Sequence, residues 1–431
     1  MKKKEAVLFM WALGVYLTVS TFVFAGGSRD TAELSKKTVD LRCLSFFSGS
    51  DRKCFDAMIA EFNRVHPGVR IIAETLSYDG YNAALRSAIA AGTAPDVAVI
   101  HQCSLPGYVK DGSLCVLEDP AQDTAVPLKA PDDFMDVPLE ACRFDGRLYA
   151  LPLDMHPLVM YYNTDLFSRA EVVKVPETYA ELIKTAWAIQ NKTGAAGIAA
   201  DNTTSVFKAW TPARLFISLL QQQGADILTA DNTRTGFKNI AGEKALSVIL
   251  DLNEVSRVIP PGLTYEASVD AFRLGKAGIH INGVWAAGIF EGQKNLNFAA
   301  APLPSLTGRN AVWAGSHTLA IPARQSPDPR KTEAAAAFIL WMTEHGELWA
   351  KAGHVPVRES VVRKPEFLSL PYRSVYLDAA RSAVIPPRTP AWDEIFDSIA
   401  DCLENAMTAN KSIKAILTEM DRKVTEIIAA H

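Results

Sequence analysis

The side chains in this chain that could do chemistry are ones that hold a ligand rather than ones that break a bond. Four tryptophans, Trp210, Trp285, Trp313 and Trp392, stand at strand or helix ends beside Gly, Pro or polar residues. An indole in such a place can cover the C–H face of a polyol, while amides, carboxylates and guanidinium groups take its hydroxyls. Polar groups of that kind fall where chain order puts the carboxyl ends of strands, the edge at which open α/β sheets meet ligands. Gln102 follows the apolar run Val97 to Ile100, and Ser48 and Asp51 follow the run Val39 to Phe47. A loop-stabilising role is the equal alternative for each. Asp154 and His156 interrupt two apolar runs, and Pro152 and Pro157 bracket them. Arg388, in Pro386-Pro387-Arg388-Thr389-Pro390, can offer a fork of donors to hydroxyls or a phosphate, or can be an exposed loop arginine. Trp187, Trp341 and Trp349 lie in helical patterns and read as core.

Bond-breaking motifs are missing. There is no GxSxG, HExxH, GxxxxGK[ST] or GxGxxG, so the chain is not expected to be an enzyme. The eight histidines are scattered, no pair stands at i,i+4, and neither a metal nor a cofactor is implied. None of the six cysteines forms a CxxC; Cys103 and Cys115 flank a helix–turn segment and could bridge, or the cysteines are buried free thiols. With 44 Lys+Arg against 48 Asp+Glu the net charge is −4, and no basic stripe alternates with aromatics, which argues against nucleic acid as a partner.

The elements that must position these residues follow from periodicity. Val39–Phe47 alternates as a strand, and Lys53–Arg64 places Phe55, Met58, Ile59 and Phe62 on one helical face. Val69–Glu74 is the next strand, Tyr81–Ala91 a helix and Asp96–Ile100 a short buried strand. This alternation predicts a mostly parallel sheet flanked by helices. Asp145-Gly146 is a tight turn, Leu148–Leu151 and Leu158–Tyr162 are strands, and Asn163-Thr164-Asp165 opens a helix. A chain in that order can leave one sheet and enter another. Further helices are expected at 177–191, 212–223, 242–257, 268–274 and 329–343, with strands at 277–282 and 297–303. One interrupted helix is expected at 392–428.

The stretch DGRLYALPLDMHPLVMYYNTDLF (145–167) resembles the first lobe crossing of the large solute-binding proteins of ABC importers, the family typified by maltose-binding protein. Three further blocks fit in the same order: APDVAVI (94–100), FRLGKAGIHINGVW (272–285) and WAGSHTLAIP (313–322). The resemblance implies an α/β, periplasmic-binding-protein-like fold. Its two lobes would each hold a mostly parallel sheet flanked by helices, joined by a multi-strand hinge. It implies an N-lobe of 39–151 and 312–357, a C-lobe of 157–311 and 358–431, and a hinge at 152–156. It places Trp285 in a cleft loop, Trp392 at a stacking position and Trp210 in a segment with aromatic contacts, and Tyr81 resembles a tyrosine that glycerol phosphate-binding relatives use. Gly315 and Ser316 would offer a backbone N–H and a hydroxyl at the return crossing. The implied role is capture of a sugar or short oligosaccharide for delivery to permease subunits, by a monomer without cofactors. A glycerol phosphate or glycerophosphodiester is the rival ligand within the family. A secreted glycan-acting enzyme, which needs a second carboxylate opposite Asp154, and a chemosensory receptor are rivals outside it.

The basic start Met1-Lys2-Lys3-Lys4-Glu5, an uncharged run to Ala25 and the site Val23-Phe24-Ala25 read as a cleaved secretory leader (1–25), or as an uncleaved membrane anchor. Residues 26–38 read as a flexible tether. The expected location is therefore periplasmic, with membrane tethering if the leader is kept.

Overall fold

Residues 150–163 supply strands to two different sheets. Ala150–Pro152 belongs to one, Leu153 carries the chain across, and Asp154–Asn163 runs through the centre of the other. The structure is a computed structural model and describes residues 38–121, 126, 128–408 and 411–431. The expected leader and nearly all of the expected tether lie outside the described residues.

The first sheet has five strands side by side: Val69–Thr75, Val39–Ser45, Val97–His101, His317–Ala320 and Ala150–Pro152. The first three are parallel, with Val39 opposite Val69 and Cys43 opposite Val97. His317–Ala320 is antiparallel to both its neighbours. The second sheet orders Ala383–Val384, Val312–Gly315, Asp154–Asn163, Ala277–Gly283 and Ala196–Ala199, and Phe298–Pro302 and Val355–Pro356 also pair with its long central strand. That central strand is antiparallel to each of its neighbours, so the sheets are more mixed than the strand–helix alternation predicts.

Successive side chains of a strand point to opposite faces. Leu158 and Met160 therefore enter one core while Val159 and Tyr161 enter the other. A sheet buried on both faces reads as a continuous apolar run, as 157–161 does. Gly49–Val65 buries Phe55, Met58, Ile59 and Phe62 as its spacing requires. Asn163 caps Thr164–Arg169 by accepting from Leu166 N. The C-terminal segment divides into Trp392–Thr408 and Ile413–Ala430, the latter capped by Ser412.

Several expectations change. Val312–Gly315 pairs with the second sheet, so the return crossing is at Ser316 rather than 312. Trp187 is 46% exposed, with Nε1 donating to Ser256 O, and is not core. Arg373–Arg381 is a helix that periodicity did not suggest. All six cysteines are free, but only Cys43, Cys142 and Cys402 are buried; Cys103 lies against His101, and Cys115 donates to Pro322 O. Among the described residues no helix is long and apolar enough to cross a membrane.

Candidate functional site

A cavity of about 730 Å³ opens between the ends of the two sheets. One wall comes from the first sheet: Phe46 and Phe47 follow the strand Val39–Ser45, Asp51 lies in the first turn of Gly49–Val65, and Tyr78 follows Val69–Thr75. The opposite wall is aromatic. Trp210 starts the helix Trp210–Gln222, and Trp285 follows the strand Ala277–Gly283. Trp313 lies in the strand Val312–Gly315. Trp285 and Trp313 meet edge to face with ring centres 6.3 Å apart, and Tyr78 faces Trp210 at 5.9 Å from the other lobe. Trp285 is tied by Nε1 to Tyr265 Oη (3.0 Å), and its ring lies where a Cβ on residue 283 would sit, so Gly283 is needed there.

Between these indoles stands Arg214, one helical turn beyond Trp210. Its guanidinium carbon is 4.9 Å from the Trp313 ring centre, 5.0 Å from that of Trp285 and 5.6 Å from that of Trp210. Its Nε is buried with no hydrogen-bond partner, and among the described residues it forms no ion pair. Burial lowers its pKa and raises that of nearby Asp201, whose carboxylate accepts from Thr211 N. The site thus holds a cation whose donors are unspent, framed by aromatic faces. This arrangement suits a ligand with apolar ring faces and paired oxygens.

The floor is built of histidines. Asp154 accepts from His156 Nδ1 (2.9 Å), His317 N (3.0 Å), His317 Nδ1 (2.7 Å) and Trp349 Nε1 (2.6 Å). His156 Nε2 in turn lies 3.0 Å from His101 Nε2, and His354 stacks on Trp349 at 4.7 Å. Burial alone would raise the Asp154 pKa; His317, His354 and His156 around it overcome that and hold it well below the usual range. Burial also pushes His156 down to about 3. Gly315 makes room for this stack: a Cβ there would lie 2.3 Å from His156 Nε2 and 2.7 Å from His101.

The expected site residues divide accordingly. Ser48, Asp51, His156, Trp210 and Trp285 line the cavity. Asp154 lies fully buried beneath it, as the anchor of the histidines. The others are placed elsewhere. Tyr81 is buried, and its hydroxyl is shared between Leu44 O and Val99 O, tying two strands. Gln102 is fully buried, away from the cavity, and its amide has no partner. Gly315 serves by the absence of a side chain, and Ser316 is buried with its hydroxyl on His317 O. Trp392 is 2% exposed and packs in the second core; with Tyr81 it lines an adjoining cavity of about 380 Å³. Arg388 lies in a separate groove, where its Nη1 donates to Glu140 O and Arg143 O. A Pro-flanked loop stiffens that arginine but turns it toward the other lobe's backbone.

Sequence reasoning passed over His101, Arg214, Tyr265, His317 and His354. For Arg214 a signal existed: it stands at i+4 from Trp210, so both share a helix face. The histidines are far apart in sequence and carry no spacing signal.

Residues 57–372 match the family of bacterial extracellular solute-binding proteins. A putative binding protein of Brucella abortus (strain 2308) is 22% identical over 97% of this chain and 98% of its own length. The maltotriose-binding protein of Pyrococcus abyssi is 22% identical over 87% of this chain and 79% of its own. Among solved structures, the cyclic alpha-maltosyl-1,6-maltose binding protein from Arthrobacter globiformis is similar, with a TM-score of 0.77. It is 24% identical over 91% of this chain and 100% of the solved one, a likeness of fold.

Proposed function

We propose, from the premise that this chain belongs to the bacterial extracellular solute-binding protein family, that it captures a sugar or short oligosaccharide in the interlobe cavity for an ABC importer. The observation that carries this reading is the wall formed by Trp210, Trp285 and Trp313 around the unpaired Arg214. Indole faces cover the C–H patches of pyranose rings, and a guanidinium fork takes two adjacent hydroxyls. The wall across the cleft, with Phe46, Tyr78, Ser48 and Asp51, belongs to the other lobe. Bringing the lobes together would desolvate both sets of contacts at once. The maltotriose-binding relative supports a glucan as the first ligand to try.

Three crossings, at Leu153, Ser316 and beyond Val355–Pro356, join the lobes and would act as the hinge. The lobes also meet where Asp393 accepts from Ser104 Oγ (2.9 Å) and Asn82 Nδ2 (3.3 Å), a contact that closing and opening would remake. The closed, loaded monomer would then dock on the importer's permease subunits outside the cytoplasmic membrane. In this reading it binds its cargo without transforming it, as the names of the binding-protein relatives suggest. Calorimetric titration with maltose, maltotriose, other oligosaccharides and glycerol phosphate tests the reading. One-to-one binding of a sugar, weakened in Trp285→Ala, supports it. Binding of glycerol phosphate alone would replace sugar with the rival ligand.

A further inference from the structure

The histidines beneath the cavity are more than a sugar site requires. Asp154, His156, His317 and His354 are all buried, and one donor atom from each lies within 4.8 Å of the others. We propose that these four side chains bind a divalent first-row transition metal, with zinc as the natural probe, in a site set into the hinge itself.

The donor set carries the chemistry. Three imidazoles and one carboxylate are the ligands that zinc and its neighbours take, and four protein donors make a closed, structural site. The three imidazoles are gathered around Asp154. Asp154 Oδ2 lies 2.7 Å from His317 Nδ1 and 3.4 Å from His354 Nδ1, and Asp154 Oδ1 lies 2.9 Å from His156 Nδ1. Tetrahedral bonds of about 2.0–2.1 Å place donors about 3.3 Å apart, so a cation needs the short Asp154–histidine pairs to spread and any wider pairs, within the 4.8 Å limit, to draw in.

His354 supplies an independent sign. It is fully buried, yet neither ring nitrogen makes a directed hydrogen bond, although both stand close to carboxylates. A buried imidazole whose nitrogens lie near carboxylates without a well-aligned hydrogen bond is unusual, because buried polar groups are nearly always paired. A metal at Nδ1 gives that ring a partner. The outer shell is also in place. Metal-bound histidines normally hand their second nitrogen to a carboxylate or another acceptor. His354 Nε2 is 3.2 Å from Asp51 Oδ2, and His156 Nε2 is 3.0 Å from His101 Nε2. Asp154 is fixed further by Trp349 Nε1.

Charge agrees. Among the described residues no lysine or arginine pairs with Asp154. A dication would face two carboxylates, Asp154 and Asp51, at the floor of the cavity. The donors stand close to the crossings: Asp154 and His156 follow Leu153, His317 follows Ser316, and His354 immediately precedes the strand Val355–Pro356. A bound ion would pin the crossings together at the pivot, below the sugar.

The test uses the full chain, stripped with chelator and titrated with zinc by calorimetry, with metal content measured after gel filtration. One equivalent should bind, raise Tm, and give tetrahedral d–d absorption when cobalt replaces zinc. His317→Ala and His354→Gln should each weaken affinity by more than the roughly 10- to 100-fold that outer-shell partners contribute, and Asp51→Asn by about that amount. His66→Ala, outside the cluster, should bind as wild type. If either ligand variant fails to fold, Asp51→Asn and the cobalt spectrum of wild type decide the matter. No stoichiometric uptake by folded wild type, or uptake unchanged in the cluster variants, overturns the proposal. Sugar titration of the stripped protein is separate, so loss of one result leaves the other standing.

Discussion

Replacing Arg214 with methionine should weaken ligand binding while leaving the empty protein as stable as before, or more stable. The side chain is framed by three indoles at 4.9–5.6 Å, its Nε has no partner, and burial already lowers its pKa. In the empty protein each cation–π contact is worth about 0.5–1 kcal/mol, or somewhat more where desolvated, against a desolvation cost of several kcal/mol for an unpaired charge. Methionine keeps the length and the contact with the rings, so the two terms nearly cancel or favour the variant. In the loaded protein the guanidinium donates charge-assisted hydrogen bonds worth about 1.5–3 kcal/mol. Their loss raises Kd by about 10- to 150-fold. Calorimetry gives Kd, and thermal melting without ligand gives stability. A variant that binds normally but melts much lower would refute the reasoning, because it would make Arg214 a structural residue and the cavity wall something other than a ligand surface.

Two tryptophans should respond in opposite ways. Trp392→Ala empties a core position and should cost about 3–5 kcal/mol of stability, seen by denaturant unfolding. Trp285→Ala should fold and lose about 1–3 kcal/mol of binding. Arg388→Ala should leave affinity unchanged at low and high salt, since its guanidinium holds Glu140 O and Arg143 O outside the cavity. His280 donates Nδ1–H to Ala199 O and accepts from Asn282 at Nε2, and burial lowers its pKa from 6.5 to about 4. The folded protein therefore binds fewer protons there than the unfolded chain. Its stability contribution is complete above pH 6.5 and falls by about 3 kcal/mol as pH drops to 4. His280→Gln should be less acid-sensitive over that window, as read from unfolding midpoints against pH.

The fold was legible because its signals are local. The face Phe55, Met58, Ile59 and Phe62, the cap at Asn163 and the apolar run at 157–161 each announce an element within one or two turns of chain. The crossing at 152–154 was legible for the same reason, since Pro152 and Asp154 interrupt two strands. The site was only partly legible. Trp210 and Trp285 reach the cavity, but Trp392 and Arg388 sit in similar loop-to-helix contexts and turn elsewhere. Which way a loop side chain turns depends on what packs against it from distant segments. The histidine floor makes the point most clearly: residues 101, 156, 317 and 354 meet only because three crossings converge, and pairing across a sheet leaves no trace in spacing.

The claim that a sugar lies against Trp210, Trp285 and Trp313 is tested most directly by fluorine NMR. The full chain would carry 5-fluorotryptophan, with resonances assigned by single Trp→Phe variants, and would be titrated with maltotriose and then with the other oligosaccharides. With a binding sugar, the three cavity resonances should shift together and saturate at one equivalent, while those of Trp187 and Trp341 stay in place. Saturable sugar binding that leaves all three cavity resonances unmoved, or no binding of any sugar, would contradict it.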